Sequence, residues 1–249
     1  MTTISNTSSS TPVPGTSILD AVVVGAGVTG IYQTYLLDKN GMSVLGVDAA
    51  DDVGGTWYWN RYPGCRLDTE SYAYGYFALT GILPDWEWSE RFAGQPEMLR
   101  YMNAAADAMD VRRLYKFKTK VTRASYLDDR QLWQIELDSG ETVLCRHFIS
   151  ATGPLSANKM PDYNGIDLFK GEAFHSSRWP TDDKGNLIDV DFTGKRVAVL
   201  GTGATGVQII PIAAETAKEL FVLQRSPNWC TPLGNTPLAK SSAVTGEAP

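Results

Sequence analysis

Two glycine-rich loops of one type constrain the fold of this chain more than any other feature. They are GAGVTG at residues 25–30 and GTGATG at residues 201–206. Each loop follows an apolar run and precedes a helix-like stretch, and in that context G-x-G-x-x-G is typical of a dinucleotide-binding unit. The glycines let the backbone approach a pyrophosphate, to which the helix N-terminus offers free N–H groups. The sequence therefore predicts two bound nucleotides.

The first unit begins with the apolar run at residues 18–24, which predicts a buried parallel strand. A helix is expected over residues 28–39 and a second strand over residues 43–47. Asp48 follows that strand, where a carboxylate can accept hydrogen bonds from the hydroxyls of an adenosine ribose. The alternative is a glycine turn with a purely structural role. The candidate nucleotide-binding residues of this unit are Gly25, Gly27, Gly30 and Asp48.

The second unit differs from the first at the position that follows its second strand. A strand over residues 195–200, a helix over residues 207–219 and a strand over residues 220–224 are expected. Gln224 stands at the spacing where the first unit has its acid, and Arg225 follows. An acid would repel the 2′-phosphate of NADP, whereas an arginine can bind it. The sequence predicts an α/β fold with two Rossmann-like units, the second specific for NADP unless Arg225 is only a surface residue.

The chain between the two loops predicts three further features. Residues 51–76 are dense in aromatic and turn residues, which predicts a long loop packed on a large flat partner or, alternatively, on the protein's own core. A helix over residues 97–109 places methionines on one side, as expected of core residues. Residues 121–149 contain alternating apolar and polar positions, which predict an antiparallel meander inserted between strands of the first sheet.

The segment at residues 169–180, FKGEAFHSSRWP, belongs to neither unit. It has the pattern F-x-G-x-x-x-H-x-x-x-W-P, and GGTWYWNRYPGCRLD occupies residues 54–68. From about residue 21 to about residue 237 the chain resembles the type I Baeyer–Villiger monooxygenases, most of all the cyclohexanone monooxygenase branch. Members of this family are flavoproteins that use NADPH and oxygen to turn ketones into esters or lactones. The fixed positions of the pattern are Phe169, Gly171, His175, Trp179 and Pro180.

The resemblance implies FAD and NADP as cofactors, and a ketone and O2 as small-molecule partners. It places Thr56 and Trp57 near the flavin, and Asp68 and Tyr74 close to its reactive side. Asp68 is the candidate catalytic carboxylate, which orients a cation beside the flavin; the alternative is a surface aspartate in a turn. The further cofactor-binding positions that the resemblance implies are Trp59, Arg66, Val121, Thr202, Gly203, Ala204, Thr205, Gly206, Val207, Gln208, Arg225 and Ser226.

His175 is the second candidate catalytic residue. It either hydrogen-bonds backbone groups and holds the linker in one conformation, or transfers a proton. The first role is favoured because proton transfer needs a positioned reacting partner, and the sequence identifies none for His175. In that role it would still affect activity, since the linker controls how the NADP unit moves over the flavin. His147, at the end of the meander, is expected to be structural or exposed.

Other reactions use the same pair of nucleotides. Disulfide reductases need a redox cysteine pair, and Cys65 has no near partner in the sequence. Flavin-containing N- and S-monooxygenases usually differ at the end of the fingerprint, so Trp179-Pro180 favours Baeyer–Villiger oxidation. The alternatives that stay open are an N- or S-monooxygenase, an NADPH oxidase, and a non-catalytic fragment that binds flavin and NADP.

Composition narrows the partners and the compartment. The net charge of -6 and the pI near 5.0 argue against binding to nucleic acid or to an anionic membrane. An odd number of distant cysteines, Cys65, Cys145 and Cys230, fits reduced thiols in the cytoplasm better than a disulfide framework. The chain also lacks an uncharged apolar run of roughly 18 residues, the length that a membrane-spanning helix needs.

The expected domain organisation has four parts. Residues 1–17 form a disordered lead-in, residues 18–153 a flavin domain, residues 154–190 a linker with the fingerprint, and residues 191–249 an NADP domain. In the family the chain continues, and its stabilising arginine is expected beyond residue 249. Both domains are therefore expected to be incomplete, with little or no ester formed by this chain alone.

Overall fold

The computed structural model describes residues 17–76, 81–182 and 188–239. The predicted lead-in at residues 1–17 lies, except for Ser17, outside the described residues, as do the last ten residues of the predicted NADP domain. In the described part of the chain, the predicted α/β fold is confirmed as one mixed sheet around the first glycine loop and one parallel strand pair around the second.

The first unit is built on a six-stranded sheet. Its strands are β1 (Leu19–Val24), β2 (Val44–Val47), β3 (Tyr115–Lys116), β4 (Val121–Leu127), β5 (Leu132–Leu137) and β6 (Thr142–Ser150). The order is β3-β2-β1-β6-β5-β4, with β3, β2, β1 and β6 parallel. The antiparallel pairs β4–β5 and β5–β6 confirm the predicted meander. Because β6 returns beside β1, the carboxyl ends of β1, β2 and β6 lie at one edge of the sheet, the edge where α/β folds bind ligands.

Two long helices of the first unit follow the sequence pattern closely. Helix α1 (Val28–Lys39) begins after Gly27 and is capped by Asn40. The methionine helix, numbered α4 below, spans Gln95–Ala108 and has proline in its first turn. Its predicted core side is confirmed, since Met98 and Met102 are fully buried. Methionines here fill the aromatic core beneath the segment at residues 51–76.

The aromatic segment is not the continuous loop that the sequence predicts. It contains two single-turn helices, α2 (Thr56–Trp59) and α3 (Ser71–Tyr74). Trp57, Tyr62 and Tyr76 are buried in the main core cluster. These rings therefore pack on the protein's own core, which the sequence analysis gave as the alternative. The short helices form because this packing fixes the backbone locally.

The second unit comprises β7 (Arg196–Leu200), helix α5 (Ala204–Thr216) and β8 (Glu219–Leu223), with β7 and β8 parallel. The helix predicted at residues 207–219 is shifted toward its N-terminus, because it begins directly after the glycine loop. It ends early because Lys218 N–H donates to the carbonyl of Lys195, 2.9 Å away, and starts the strand pairing. No helix in the described ranges is both long and apolar enough to cross a bilayer.

A segment of the predicted NADP domain packs on the first unit. The Arg91 N–H donates to the carbonyl of Thr236 at 2.9 Å, and the Leu238 N–H donates to the carbonyl of Ser89 at 3.0 Å. The Asn235 side chain accepts from the N–H of Phe92 at 2.9 Å. Residues 235–238 thus form a strap across residues 89–92. These bonds join the predicted flavin domain to the predicted NADP domain, which was expected to begin at residue 191.

Alkaline pH is expected to destabilise this fold through two buried thiols. Burial raises the pKa of Cys65 and of Cys145 from 9.0 to about 11. The unfolded chain therefore loses these protons at a lower pH than the folded chain. The contribution of the thiols to the free energy of unfolding is complete below pH 9 and is lost as the pH rises through 11. Burial also raises the pKa of Tyr62, Tyr76 and Tyr115, which extends the loss further.

The measurement is the free energy of urea unfolding at successive pH values, with the Cys65→Ala/Cys145→Ala double variant as the control. We expect the decline of the double variant to start about one pH unit later, when the tyrosines begin to ionise. An identical decline in both proteins would contradict the assignment to the thiols.

Candidate functional site

The first glycine loop is closed on itself. A Cβ placed on Gly30 would lie 1.8 Å from the carbonyl oxygen of Gly25, so α1 could not approach β1 with any larger residue. The hydroxyl of Tyr115 reaches the same carbonyl at 3.2 Å and bonds to Thr34 at 3.0 Å. The third glycine of this loop therefore permits the tight packing of the helix on the strand that dinucleotide-binding units use.

Asp48 lies at the carboxyl end of β2, beside this loop. One carboxylate oxygen accepts from the N–H of Ala26 at 2.5 Å, and the other accepts from the N–H of Ala50 at 2.7 Å. These bonds fix the carboxylate at the rim of the loop. A carboxylate has about four acceptor positions, so Asp48 keeps capacity for ribose hydroxyls.

Residues 151–153, ATG, were not predicted as part of this site. The N–H of Ala151 donates to the carbonyl of Val24 at 2.8 Å, and a Cβ on Gly25 would lie 2.4 Å from the carbonyl oxygen of Ala151. The sequence places these residues at the end of the predicted flavin domain, directly before the linker at residues 154–190, without a role in the loop. Strand β6 runs parallel to β1, so residues 151–153, which follow β6, lie beside the glycine loop, which follows β1. Only the spatial order of the strands reveals this proximity.

The aromatic segment joins the site through its own glycines. The N–H of Gly54 donates to the carbonyl of Ala26 at 2.9 Å, and a Cβ on Gly55 would lie 2.6 Å from the Cα of Gly27. Thr56 and Trp57 follow at once in α2, so the contact positions them next to the loop.

Trp57 also holds two other parts of the segment together. Its indole N–H donates to the hydroxyl of Tyr74 at 3.2 Å, and its carbonyl accepts from the Gln95 amide at 2.5 Å. The structure therefore brings together Thr56, Trp57 and Tyr74, as the resemblance implies. Tyr74 in turn stands edge-on to the Trp57 ring, with centroids 5.8 Å apart.

Arg66 and Asp68 flank the buried Leu67. The N–H of Leu67 donates to the carbonyl of Ala93 at 3.0 Å, and the Arg66 guanidinium pairs with Glu90 at 3.0 Å. Asp68 is exposed and makes no hydrogen bond or ion pair with the rest of the described chain. An exposed, unpaired carboxylate agrees both with a cofactor-facing group and with a surface turn, and its catalytic role stays a prediction.

The fingerprint segment is anchored to the aromatic segment. The His175 ring Nδ1 accepts from the N–H of Ser177 at 3.1 Å and lies 2.8 Å from its hydroxyl, which caps the single turn Ser176–Arg178. The Arg178 guanidinium stacks over the ring of Trp59 at 4.2 Å. These contacts favour the linker-holding role of His175 over proton transfer. Phe169 lies over Gly171, where a Cβ would be 2.5 Å from the ring.

The second glycine loop is closed at one glycine and open at another. A Cβ on Gly206 would lie 2.3 Å from the carbonyl oxygen of Gly201, whereas a Cβ on Gly203 would meet nothing within 4 Å. Helix α5 starts with Ala204 and Thr205, and Val207 follows in the same turn. The helix thus packs tightly on the loop at Gly206, and the loop has free space beside its middle glycine, Gly203.

The end of β8 carries no acid beside this loop. The Gln224 amide donates to the Thr202 hydroxyl at 2.7 Å, and the Asn228 amide donates to the carbonyl of Thr202 at 3.3 Å. Arg225 and Ser226 are exposed next to them. The neutral amide of Gln224 bonds to the second loop at the position where the Asp48 carboxylate bonds to the first loop. The equal spacing of the two residues from their loops predicts this correspondence.

Two predicted residues are engaged elsewhere in the protein. The Gln208 side chain bonds to Tyr62 at 2.9 Å and to the backbone of Arg66, although the resemblance implies a place along the phosphates. Val121 opens β4 opposite Leu137 and packs on the second core cluster. Contacts of these residues with a cofactor stay predictions.

Comparison with known proteins gives the family. The chain matches the model of the flavin-binding monooxygenase-like family over residues 20–233. It is 73% identical over 222 residues to 2-oxo-Delta(3)-4,5,5-trimethylcyclopentenylacetyl-CoA monooxygenase of Pseudomonas putida, covering 89% of this chain and 41% of that protein. It is 48% identical over 219 residues to a Baeyer–Villiger monooxygenase of Pseudooceanicola batsensis, covering 88% of this chain and 39% of that protein.

A solved structure agrees with these matches. The chain superposes on the crystal structure of OTEMO in complex with FAD and NADP with a TM-score of 0.88 and 71% identity, covering 92% of this chain and 43% of that one. The chain therefore belongs to the flavin-binding monooxygenase-like family, and the resemblance found in its motifs is confirmed. It spans 41% and 39% of the length of the two curated relatives.

The two glycines of the second loop provide a matched pair of variants. Gly206→Ala forces a Cβ against the Gly201 carbonyl, so we expect a loss of about 1–3 kcal/mol in the free energy of unfolding. Gly203→Ala has open space and an ordinary backbone conformation, so we expect a change within about 0.5 kcal/mol. Urea unfolding measures both values, and equal losses would contradict the difference in crowding.

Proposed function

We propose that the first unit binds FAD, that the second binds NADPH, and that the chain is the cofactor-binding part of a Baeyer–Villiger monooxygenase. The observation that carries this proposal is the fingerprint segment, which lies between the two glycine loops in the sequence and is docked on Trp59 by Arg178. The names of the relatives, which include a Baeyer–Villiger monooxygenase, support it.

The first loop fits the adenosine and pyrophosphate parts of FAD. The positive φ of Gly25 and the crowding at Gly30 give the narrow turn, and α1 directs its free N–H groups at the loop. Asp48 is fixed where it can accept from ribose hydroxyls. Thr56, Trp57, Trp59 and Tyr74 then lie on the segment proposed to follow the flavin ring.

The second loop fits NADPH. A phosphate can approach the open side of Gly203, and Thr202, Ala204, Thr205, Gly206 and Val207 supply the surrounding backbone. Gln224 leaves the site without a negative charge, and Arg225 with Ser226 is proposed to bind the 2′-phosphate.

When bound, the flavin supplies hydride acceptance from NADPH and activation of O2, the chemistry that a ketone oxygenation needs. The protein groups contribute position and charge. His175 holds the linker turn, Arg178 fixes that turn on Trp59, and Asp68 places a negative charge that orients a cation beside the flavin. The proposed substrate class is a cyclic ketone, as the name of the Pseudomonas putida relative suggests. Three free cysteines agree with a reducing cytoplasm as the proposed compartment.

Arg225 tests the choice of nucleotide. In the purified chain, Arg225→Ala is expected to weaken NADPH binding about 10- to 100-fold, because a charged hydrogen-bond partner of the 2′-phosphate is lost. NADH binding should stay within about twofold, since NADH lacks that phosphate. Titration followed by nucleotide fluorescence measures both. Arg196→Ala, which removes an equal charge from β7 of the same unit, is the control, and an equal loss there would refute a direct contact.

A chimera tests the reaction. Residues 20–233 replace the matched segment of the Pseudomonas putida relative, and the product is incubated with FAD, NADPH, labelled O2 and that relative's ketone. We expect a flavin absorbance band that NADPH bleaches, and an ester or lactone with one labelled oxygen. Bleaching without ester, in a reaction where the relative itself makes ester, would favour an NADPH oxidase. Oxygen transfer to an amine or sulfide instead would favour the alternative monooxygenase class.

A further inference from the structure

Three hydrogen bonds join the second unit to the aromatic segment through one side chain. The Tyr62 hydroxyl and the N–H of Arg66 both donate to Oε1 of Gln208, at 2.9 and 3.3 Å. The Gln208 Nε2 donates to the carbonyl of Arg66 at 3.1 Å. The amide thus binds both backbone groups of Arg66, as a neighbouring strand would. Only a side chain with a donor and an acceptor on one planar group can do this.

The backbones at this contact are also in close approach. A Cβ on Gly64 would lie 2.6 Å from the carbonyl oxygen of Gln208 and 3.3 Å from the side chain of Ile212. Ile209, the next residue of α5, is buried in the core cluster of the first unit. At Gly64 the backbone of α5 therefore rests directly on residues 62–66, and small shifts of the helix are transmitted to this loop.

Each end of this contact carries a predicted functional group. Gln208 lies in the second turn of α5, whose first turn follows the open Gly203 and is proposed to receive the phosphates of NADPH. Arg66 lies two residues before Asp68 and pairs with Glu90, which also accepts a hydrogen bond from Asn235 of the strap. The Gln208 amide therefore provides a direct hydrogen-bonded connection between the two proposed nucleotide sites.

We propose that Gln208 is a positioning residue that couples the occupancy of the second glycine loop to the placement of Arg66 and Asp68. The coupling rests on the proposed function of both sites. By linkage, NADP+ binding then changes the surroundings of the flavin, and flavin binding changes the affinity for NADP+ by the same factor. Burial raises the pKa of the Tyr62 hydroxyl, so it is protonated and donates to Gln208 at neutral pH.

The variants remove the bonds while keeping the packing. Gln208→Met preserves the length of the side chain and loses all three bonds, and Tyr62→Phe loses one. Gln134→Met makes the same substitution in the meander, away from either loop, and serves as the control. Thermal unfolding of each protein checks that the variants are folded before they are compared.

Two measurements follow NADP+ binding. The first is amide hydrogen exchange in residues 62–68, which needs no flavin; we expect NADP+ to slow it at least threefold in the parent and in Gln134→Met, and to leave it unchanged in Gln208→Met. The second is the flavin difference spectrum at saturating NADP+. Its amplitude is expected to fall by more than half in Gln208→Met and by less in Tyr62→Phe, with flavin content retained.

The outcomes separate the coupling from the proposed function. A full difference spectrum and full exchange protection in Gln208→Met would overturn the coupling while leaving both nucleotide sites intact. A parent chain that neither takes up FAD nor responds to NADP+ would overturn the proposed function and the coupling with it. Protection of residues 62–68 by NADP+ without flavin uptake would support the coupling and refute only the FAD assignment. A purely structural role of Gln208 predicts a lower melting temperature with an unchanged response to NADP+.

Discussion

Steric crowding around the first glycine loop is the constraint on which the rest of this structure depends. Gly30 meets the carbonyl of Gly25, Gly25 meets the carbonyl of Ala151, and Gly27 meets the backbone of Gly55. Three segments that are far apart in the sequence thus converge on one turn at the carboxyl edge of the sheet. Such convergence is what turns a common glycine pattern into a defined site, because each segment fixes the backbone of the next.

The second loop has the same pattern and fewer neighbours. Only its last glycine is crowded, and the strand pair beside it leaves Leu200, Phe221 and Leu223 about half exposed. Parallel strands are normally covered on both faces, and among the elements that the structure describes, α5 packs on this pair. The second unit also contacts the first, through Gln208 and the strap at residues 235–238.

Sequence reasoning succeeded where the information is local. Glycine loops, the meander and the methionine side of α4 follow from short-range periodicity and turn residues. It failed at the start of α5, where the loop itself initiates the helix, and in the aromatic segment, where packing imposes single helical turns. The contacts of ATG, Gln208 and Asn235 join residues more than a hundred positions apart, and no local pattern encodes them.

The strap has a consequence for the order of events during synthesis. Asn235 closes on Glu90 across 145 residues, so the surface at residues 89–92 stays without its partner until the second unit has left the ribosome. At about 5–20 residues per second, that interval lasts roughly 7–30 seconds. A newly made first unit therefore exposes the N–H of Arg91 and the carbonyl of Ser89, which the strap pairs only later.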